Sequence, residues 1–203
     1  MNPTRYPIPA GVHRLESMVV NSRFIATAGP AATVEEAHAL IARVRTEFAD
    51  ATHNVYAYRT GFGSSVIDSC SDDGEPPGTA GRPVLVVVQN SGLGDLVVVV
   101  TRYFGGTKLG TGGLVRAYSG AAQAVLADLP RAERVEKRTF TLAAPYKFYD
   151  TLTRLIEAHG GQVDQAQFAA EVSLTLTFPV DRVDEFDAAL RQASAGRLRL
   201  DVE

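Results

Sequence analysis

The sequence has 203 residues, 45% of them apolar and 21% charged, a balance that allows an ordinary globular core. Its single cysteine, Cys70, excludes an intramolecular disulfide framework and a cysteine-based metal cage. Residues 1–131 hold 11 Lys/Arg against 11 Asp/Glu, and residues 132–203 hold 9 against 12, so neither half has the basic excess of a protein that coats nucleic acid.

In chain order, residues 11–29 alternate through Val12, Leu15, Met18, Val20, Phe24 and Ile25. This pattern predicts two strands turning near Asn21-Ser22. Thr33-Val-Glu-Glu36 is a capping box. The helix it opens spaces Val34, Ala37, Leu40, Ile41, Val44 and Phe48 by three and four, and ends near Asp50. His53–Thr60 alternates as a strand, with Ser64–Cys70 as its hairpin partner across Gly61-Phe62-Gly63. The following S-D-D-G-E-P-P-G-T-A-G-R-P excludes regular structure. Pro83 suits the first position of a helix over 83–90, although the β-branched run Val84–Val88 argues for a strand; the helix is preferred. Leu96–Arg102 reads as a buried strand, Phe104–Gly113 as a glycine-rich loop, and Leu114–Leu129 as an Ala-rich helix stopped by Pro130.

The charged segment 131–138 is the expected boundary between domains 1–131 and 132–203. Beyond it, strand Val135–Ala143, helix Tyr146–His159, strands Val163–Phe168 and Val172–Phe178, helix Asp181–Ala193 and strand Leu198–Val202 give βαββαβ, a ferredoxin-like order. The fold class is therefore α+β in two domains. No apolar h-region opens the sequence, and the longest apolar runs fall far short of the roughly 20 residues of a membrane helix. The expected location is cytoplasmic, with no membrane partner.

Two glycine-rich turns concentrate the chemistry. The first carries Asp72, Asp73, Glu75 and Thr79. Three clustered carboxylates need something to offset them: a divalent cation, backbone N–H groups, or Arg82 and Arg102. The second brings Gly105, Gly106, Gly110, Gly112 and Gly113 together with Arg102, Lys108 and Arg116. A strand leaving into such a loop and then a helix is suited to an anion, because glycine allows close approach and a helix start offers free N–H groups. The loop matches neither G-x-x-x-x-G-K-[ST] nor G-x-G-x-x-G. His53 is a candidate ligand-contacting residue, and Tyr56, Tyr58, Tyr103 and Tyr118 are candidates for stacking, with packing the commoner role for each. Ser64-Ser65 and Cys70 lack a nucleophile signature.

N-S-R-F-I-A, A-T-H-N-V-Y-A-Y-R, S-D-D-G-E-P-P-G-T-A-G-R-P and V-V-V-T-R-Y-F-G-G-T-K-L-G-T-G-G-L-V-R-A-Y occur in one order. In these motifs the sequence resembles the IMPACT/YigZ family from about Gly11 to Leu129. The remainder resembles the small C-terminal domain of the bacterial members. The resemblance implies a ribosomal protein S5 domain 2-like N-terminal domain and a ferredoxin-like second domain, a pairing similar to two adjacent domains of the ribosomal translocation factor. It also implies a link to translation, since the eukaryotic members regulate initiation by competing for the activator of a protein kinase. Those proteins have an RWD-type domain that this sequence does not contain, so that partner is not carried over.

The leading expectation is thus a binding protein of the translation apparatus contacting RNA, the ribosome or a ribosome-associated protein. DNA is not an expected partner, a monomer is favoured, and no cofactor, metal or catalytic residue is assigned. Two alternatives are an Mg²⁺-dependent enzyme acting on a phosphorylated or nucleotide ligand, and an adaptor working through the C-terminal sheet.

Overall fold

The computed structural model describes residues 4–200. The chain divides into two compact α+β units, Met1–Arg134 and Val135–Glu203. The N-terminal unit contains β1 (Arg5–Pro9), β2 (His13–Val19), β3 (Ser22–Pro30), α1 (Val34–Glu47), β4 (His53–Phe62), β5 (Ser65–Ser71), α2 (Gly81–Asn90), β6 (Leu96–Tyr103), α3 (Gly110–Ala127) and β7 (Arg131–Val135). Five strands form one sheet in the order β2-β3-β6-β4-β5. Strand β6 pairs antiparallel with both β3 and β4, so β3 and β4 run parallel on either side of it, joined by α1.

Both faces of this sheet are covered, which explains the unbroken apolar run of β6. Val98 and Val100 pack with Phe24, Val55 and Ala57 beneath α2 and α3. Val97 and Val99 pack with Tyr58 beneath Ala37, Leu40, Ile41 and Val44 of α1. The predicted cap is present: Thr33 Oγ1 accepts from Glu36 N at 3.2 Å, and the Glu36 carboxylate accepts from Ala32 N at 2.7 Å.

Several boundaries differ from the sequence expectation. The β4–β5 hairpin turns at Gly63-Ser64, because β4 continues through Gly61 and Phe62. Helix α2 begins at Gly81 rather than Pro83, since Asp72 accepts from the first N–H groups of that turn. Helix α3 begins at Gly110 rather than Leu114, so three glycines assigned to a loop occupy its first turn. The division between the two units, at Arg134/Val135, falls inside the segment 131–138, and that segment also holds β7, which pairs with β1, a strand absent from the sequence reading, as a separate two-stranded sheet. Ala10 N donates to Pro130 O at 2.8 Å beside this pair.

The β2–β3 turn has Val20 at φ 56°. Positive φ at the first of two central turn residues is the type II′ pattern, which favours glycine. A β-branched side chain there is strained by about 1–2 kcal/mol. Val20→Gly is therefore expected to raise the stability of the N-terminal unit by up to about 1 kcal/mol, read as a higher urea midpoint at unchanged slope. A lower midpoint would show that the exposed Val20 side chain contributes packing that outweighs the strain.

The C-terminal unit contains β8 (Lys137–Ala144), a 3-10 turn (Tyr146–Phe148) leading into α4 (Tyr149–Ala158), β9 (Gln162–Phe168), β10 (Val172–Pro179), and a second 3-10 turn (Val180–Arg182) leading into α5 (Val183–Ala193). Its antiparallel sheet has the order β8-β10-β9, the split arrangement expected of a ferredoxin-like unit. Alternate β10 residues Leu174, Leu176 and Phe178 pack on Leu152, Ile156, Phe186 and Leu190. The expected last strand does not form over 198–200. Leu198 N donates to Ser194 Oγ at 3.0 Å and Leu200 N to Asp187 Oδ1 at 2.9 Å, so side chains take the donors that a ladder would use. Leu198 and Leu200 still enter the core; Asp201 and Val202 lie outside the described residues.

Candidate functional site

The end of β6 and the start of α3 meet the Ser71–Gly81 turn on the face that carries α2 and α3. Odd-numbered β4 residues and even-numbered β6 residues point to this face, which brings His53 and Arg102 opposite each other in register. The three carboxylates of the turn are each held differently. Asp72 Oδ1 accepts from Ala80 N at 3.0 Å and Gly81 N at 2.8 Å, and Oδ2 from Gly78 N at 2.8 Å. Asp73 bonds Arg45 and accepts from Asn54 N at 2.6 Å. Glu75 Oε1 accepts from Arg102 Nη1 at 2.6 Å and from Tyr118 Oη at 2.7 Å. Backbone N–H groups and Arg102 thus supply the offset, together with Arg45, which the sequence reading passes over. Thr79 closes its own turn, donating to Pro76 O at 2.7 Å.

The Glu75–Arg102 pair is buried, with both side chains at most 5% exposed. Arg102 Nη2 donates to Ser22 Oγ at 3.2 Å, and its guanidinium lies between the rings of Phe24 and Phe104, 5.6 and 5.4 Å from their centroids. Its Nε is buried without a hydrogen-bond partner. A buried donor in that state costs about 1–3 kcal/mol. Burial and then the bond to Glu75 push the Tyr118 hydroxyl far above its ordinary range, so it remains a donor. Tyr118 is fully buried and presents no stacking face. Tyr56 and Tyr58 stack on each other and meet the His38 ring edge-to-face, and Tyr103 donates to Asp50.

His53 Nδ1 lies 2.7 Å from Asp73 O. A carbonyl only accepts, so Nδ1 bears the proton and Nε2 faces Glu75 Oε1 at 3.8 Å. Burial, and then Asp72, push the Cys70 thiol upward, the opposite of an activated nucleophile. Asp72 uses both oxygens on backbone donors, which leaves it poorly suited to Mg²⁺.

The second turn is built differently. Gly105 packs on the β2–β3 turn so closely that a Cβ would lie 1.8 Å from Asn21 O. Gly106 and Gly110 have φ of 82° and 69°. These two glycines turn the chain into α3, which has no side-chain cap and no acidic residue in its first turn. Its first N–H groups therefore face outward unmatched by an internal acceptor. Lys108 and Arg116 are exposed beside them and make no ion pair or side-chain hydrogen bond among the described residues. Two concavities flank this helix start. One, of about 320 Å³, has Glu75, Arg102, Lys108 and Thr111 as polar walls and Pro76, Phe104, Leu109 and Leu114 as apolar ones. The other, of about 310 Å³, lies between Val19, Val20, Lys108, Gly113 and Arg116. Of the predicted residues, His53, Asp72, Asp73, Glu75 and Thr79 are engaged internally, Arg102 partly so, while Lys108, Arg116 and the α3 glycines face outward. Thr111 escaped the sequence reading because the helix start was placed four residues too late, and Phe104 because only the fold brings its ring beside the Arg102 guanidinium.

The chain matches the family model described as Impact N-terminal domain over residues 20–126, and Domain of unknown function (DUF1949) over 142–197. It is 37% identical to IMPACT family member YigZ of Escherichia coli over 95% of both chains. It is 42% identical to IMPACT family member YvyE of Bacillus subtilis over 68% of this chain and 62% of that one. A crystal structure described only as a hypothetical protein shares 35% identity and superposes with a TM-score of 0.71, covering 99% of this chain and 98% of the other. No helix among the described residues is long and apolar enough to cross a membrane. A family model over more than half of the chain and a relative aligned along nearly the full length agree: the chain belongs to the IMPACT family.

Proposed function

We propose that this protein binds a component of the translation apparatus, RNA or the ribosome, through the α3 N-terminal face. The family supports the translation link, because its eukaryotic members regulate initiation. The observation that carries the surface assignment is the uncapped start of α3 with Lys108 and Arg116 unpaired beside it. Among the described residues, seven of the unit's twelve acidic side chains are matched in ion pairs: Glu16 with Arg23, Glu47 with Arg14, Asp68 with Arg59, Asp73 with Arg45, Glu75 with Arg102, Asp95 with Arg134 and Glu133 with Arg5. The unit is neutral in total, but Lys108 and Arg116 place unpaired positive charge where backbone donors also point outward, a combination suited to phosphate.

The test is co-sedimentation with ribosomes across a salt series. The wild type is expected to bind in a salt-sensitive way, and Lys108→Ala/Arg116→Ala to lower the log–log salt slope by about 2. Absence of wild-type sedimentation at low salt, or an unchanged slope in the double variant, would overturn the reading.

A further inference from the structure

We infer that the cavity between Arg102 and the start of α3 is a nucleotide-sized pocket, whose ligand is a phosphate ester carrying a planar body. This rests on the reading of the α3 face given above and names what that face holds. Two independent observations meet at this cavity, one at its rim and one in its wall. The start of α3 has neither cap nor acidic residue, and Lys108 stands beside it, which suits a phosphate. Arg102, a wall of the cavity, is 4% exposed and its Nε donor has no acceptor; buried donors in folded proteins are normally satisfied.

The rest of the lining selects more than a bare anion. At about 320 Å³ the cavity exceeds the size of a phosphate and lies in the range of small-molecule sites. Phe104 is 46% exposed and already stacks one face against a guanidinium, leaving ring surface for a base. Glu75 binds Arg102 and Tyr118 through Oε1 alone, so Oε2 is available to accept from a sugar hydroxyl or base N–H. Donors for phosphate, an aromatic face and one acceptor together describe a nucleotide, either free or at the end of an RNA chain.

Nuclear magnetic resonance of the full chain tests this with Arg102 Nε–Hε and the Gly110–Gly113 amides as probes. Uridine monophosphate, a short 5′-phosphorylated oligoribonucleotide and its unphosphorylated counterpart are titrated to millimolar concentration, with inorganic phosphate alongside. The expected result is movement of both probe sets with at least one phosphorylated nucleotide, and weaker response to phosphate alone. A response to the mononucleotide assigns a free ligand; one confined to the phosphorylated oligomer assigns a chain end. Thr111→Glu adds an acid where a helix start favours one, so the fold is retained, and it is expected to weaken binding about tenfold or more. Unmoved probes, an equal response to phosphate and nucleotide, or unchanged affinity in Thr111→Glu would overturn the inference. Ribosome sedimentation is scored separately: binding there with silent probes sinks the pocket alone, and responsive probes without sedimentation sink the translation reading alone.

Discussion

Arg102→Ala is expected to destabilise the N-terminal unit by about 3–5 kcal/mol, the loss typical of stranding one partner of a buried ion pair. The guanidinium holds Glu75, bonds Ser22 and separates two aromatic rings, so its removal leaves a carboxylate at 4% side-chain exposure with Tyr118 as its remaining hydrogen-bond donor. Tyr118→Phe removes a single bond to a charged acceptor and should cost about 1.5–3 kcal/mol. Replacing both charges, as Glu75→Gln/Arg102→Met, should recover part of the loss because no net charge stays buried. Urea unfolding of the three variants distinguishes these cases. A double variant no more stable than Arg102→Ala would show that shape, rather than the stranded charge, dominates the penalty.

Asp72→Ala is the second large effect, expected at about 2–3 kcal/mol, since a charged acceptor of several backbone donors is removed at once. Burial opposes ionisation of this carboxyl, but the N–H groups of Gly78, Gly81 and Ala80 outweigh it and hold the group below its ordinary value of 3.8. A depressed carboxyl contributes stability that is fully present above its unfolded value and is lost as pH falls through the lower folded value. The difference in Tm between wild type and Asp72→Ala should accordingly be flat at neutral pH and narrow below about pH 4. A gap that persists unchanged to pH 2 would mean that the carboxylate charge contributes nothing and only the loop geometry matters.

What the sequence revealed was mostly what neighbouring residues decide. The Thr33–Glu36 cap, the alternation of β4 and the apolar run of β6 are each set within a few positions, and each element is found where those signals place it. Glycine propensity misled at α3: Gly110, Gly112 and Gly113 are poor helix formers, yet Leu114, Ala117, Tyr118 and Ala121 anchor the helix in the core and carry its first turn with them. Strand β1 was hidden because Arg-Tyr-Pro-Ile-Pro has two prolines and its partner lies more than 120 residues away. The site divided in the same way. Glu75 and Arg102 could be nominated by charge, but Tyr118 and Ser22 join them only through sheet register and helix packing, which separate sequence positions do not encode locally.

The β1–β7 pair also constrains synthesis. Translation adds roughly 5–20 residues per second, so roughly 6–25 s separate the appearance of Arg5 from that of Arg131. Throughout that interval β1 is a nascent strand without its native neighbour, on a polysome where identical chains emerge side by side. Pro7 and Pro9 each remove a ladder donor. A waiting strand so equipped is a poor template for its counterpart on the next ribosome, and the prolines that concealed β1 from pattern reading are those that suit it to wait.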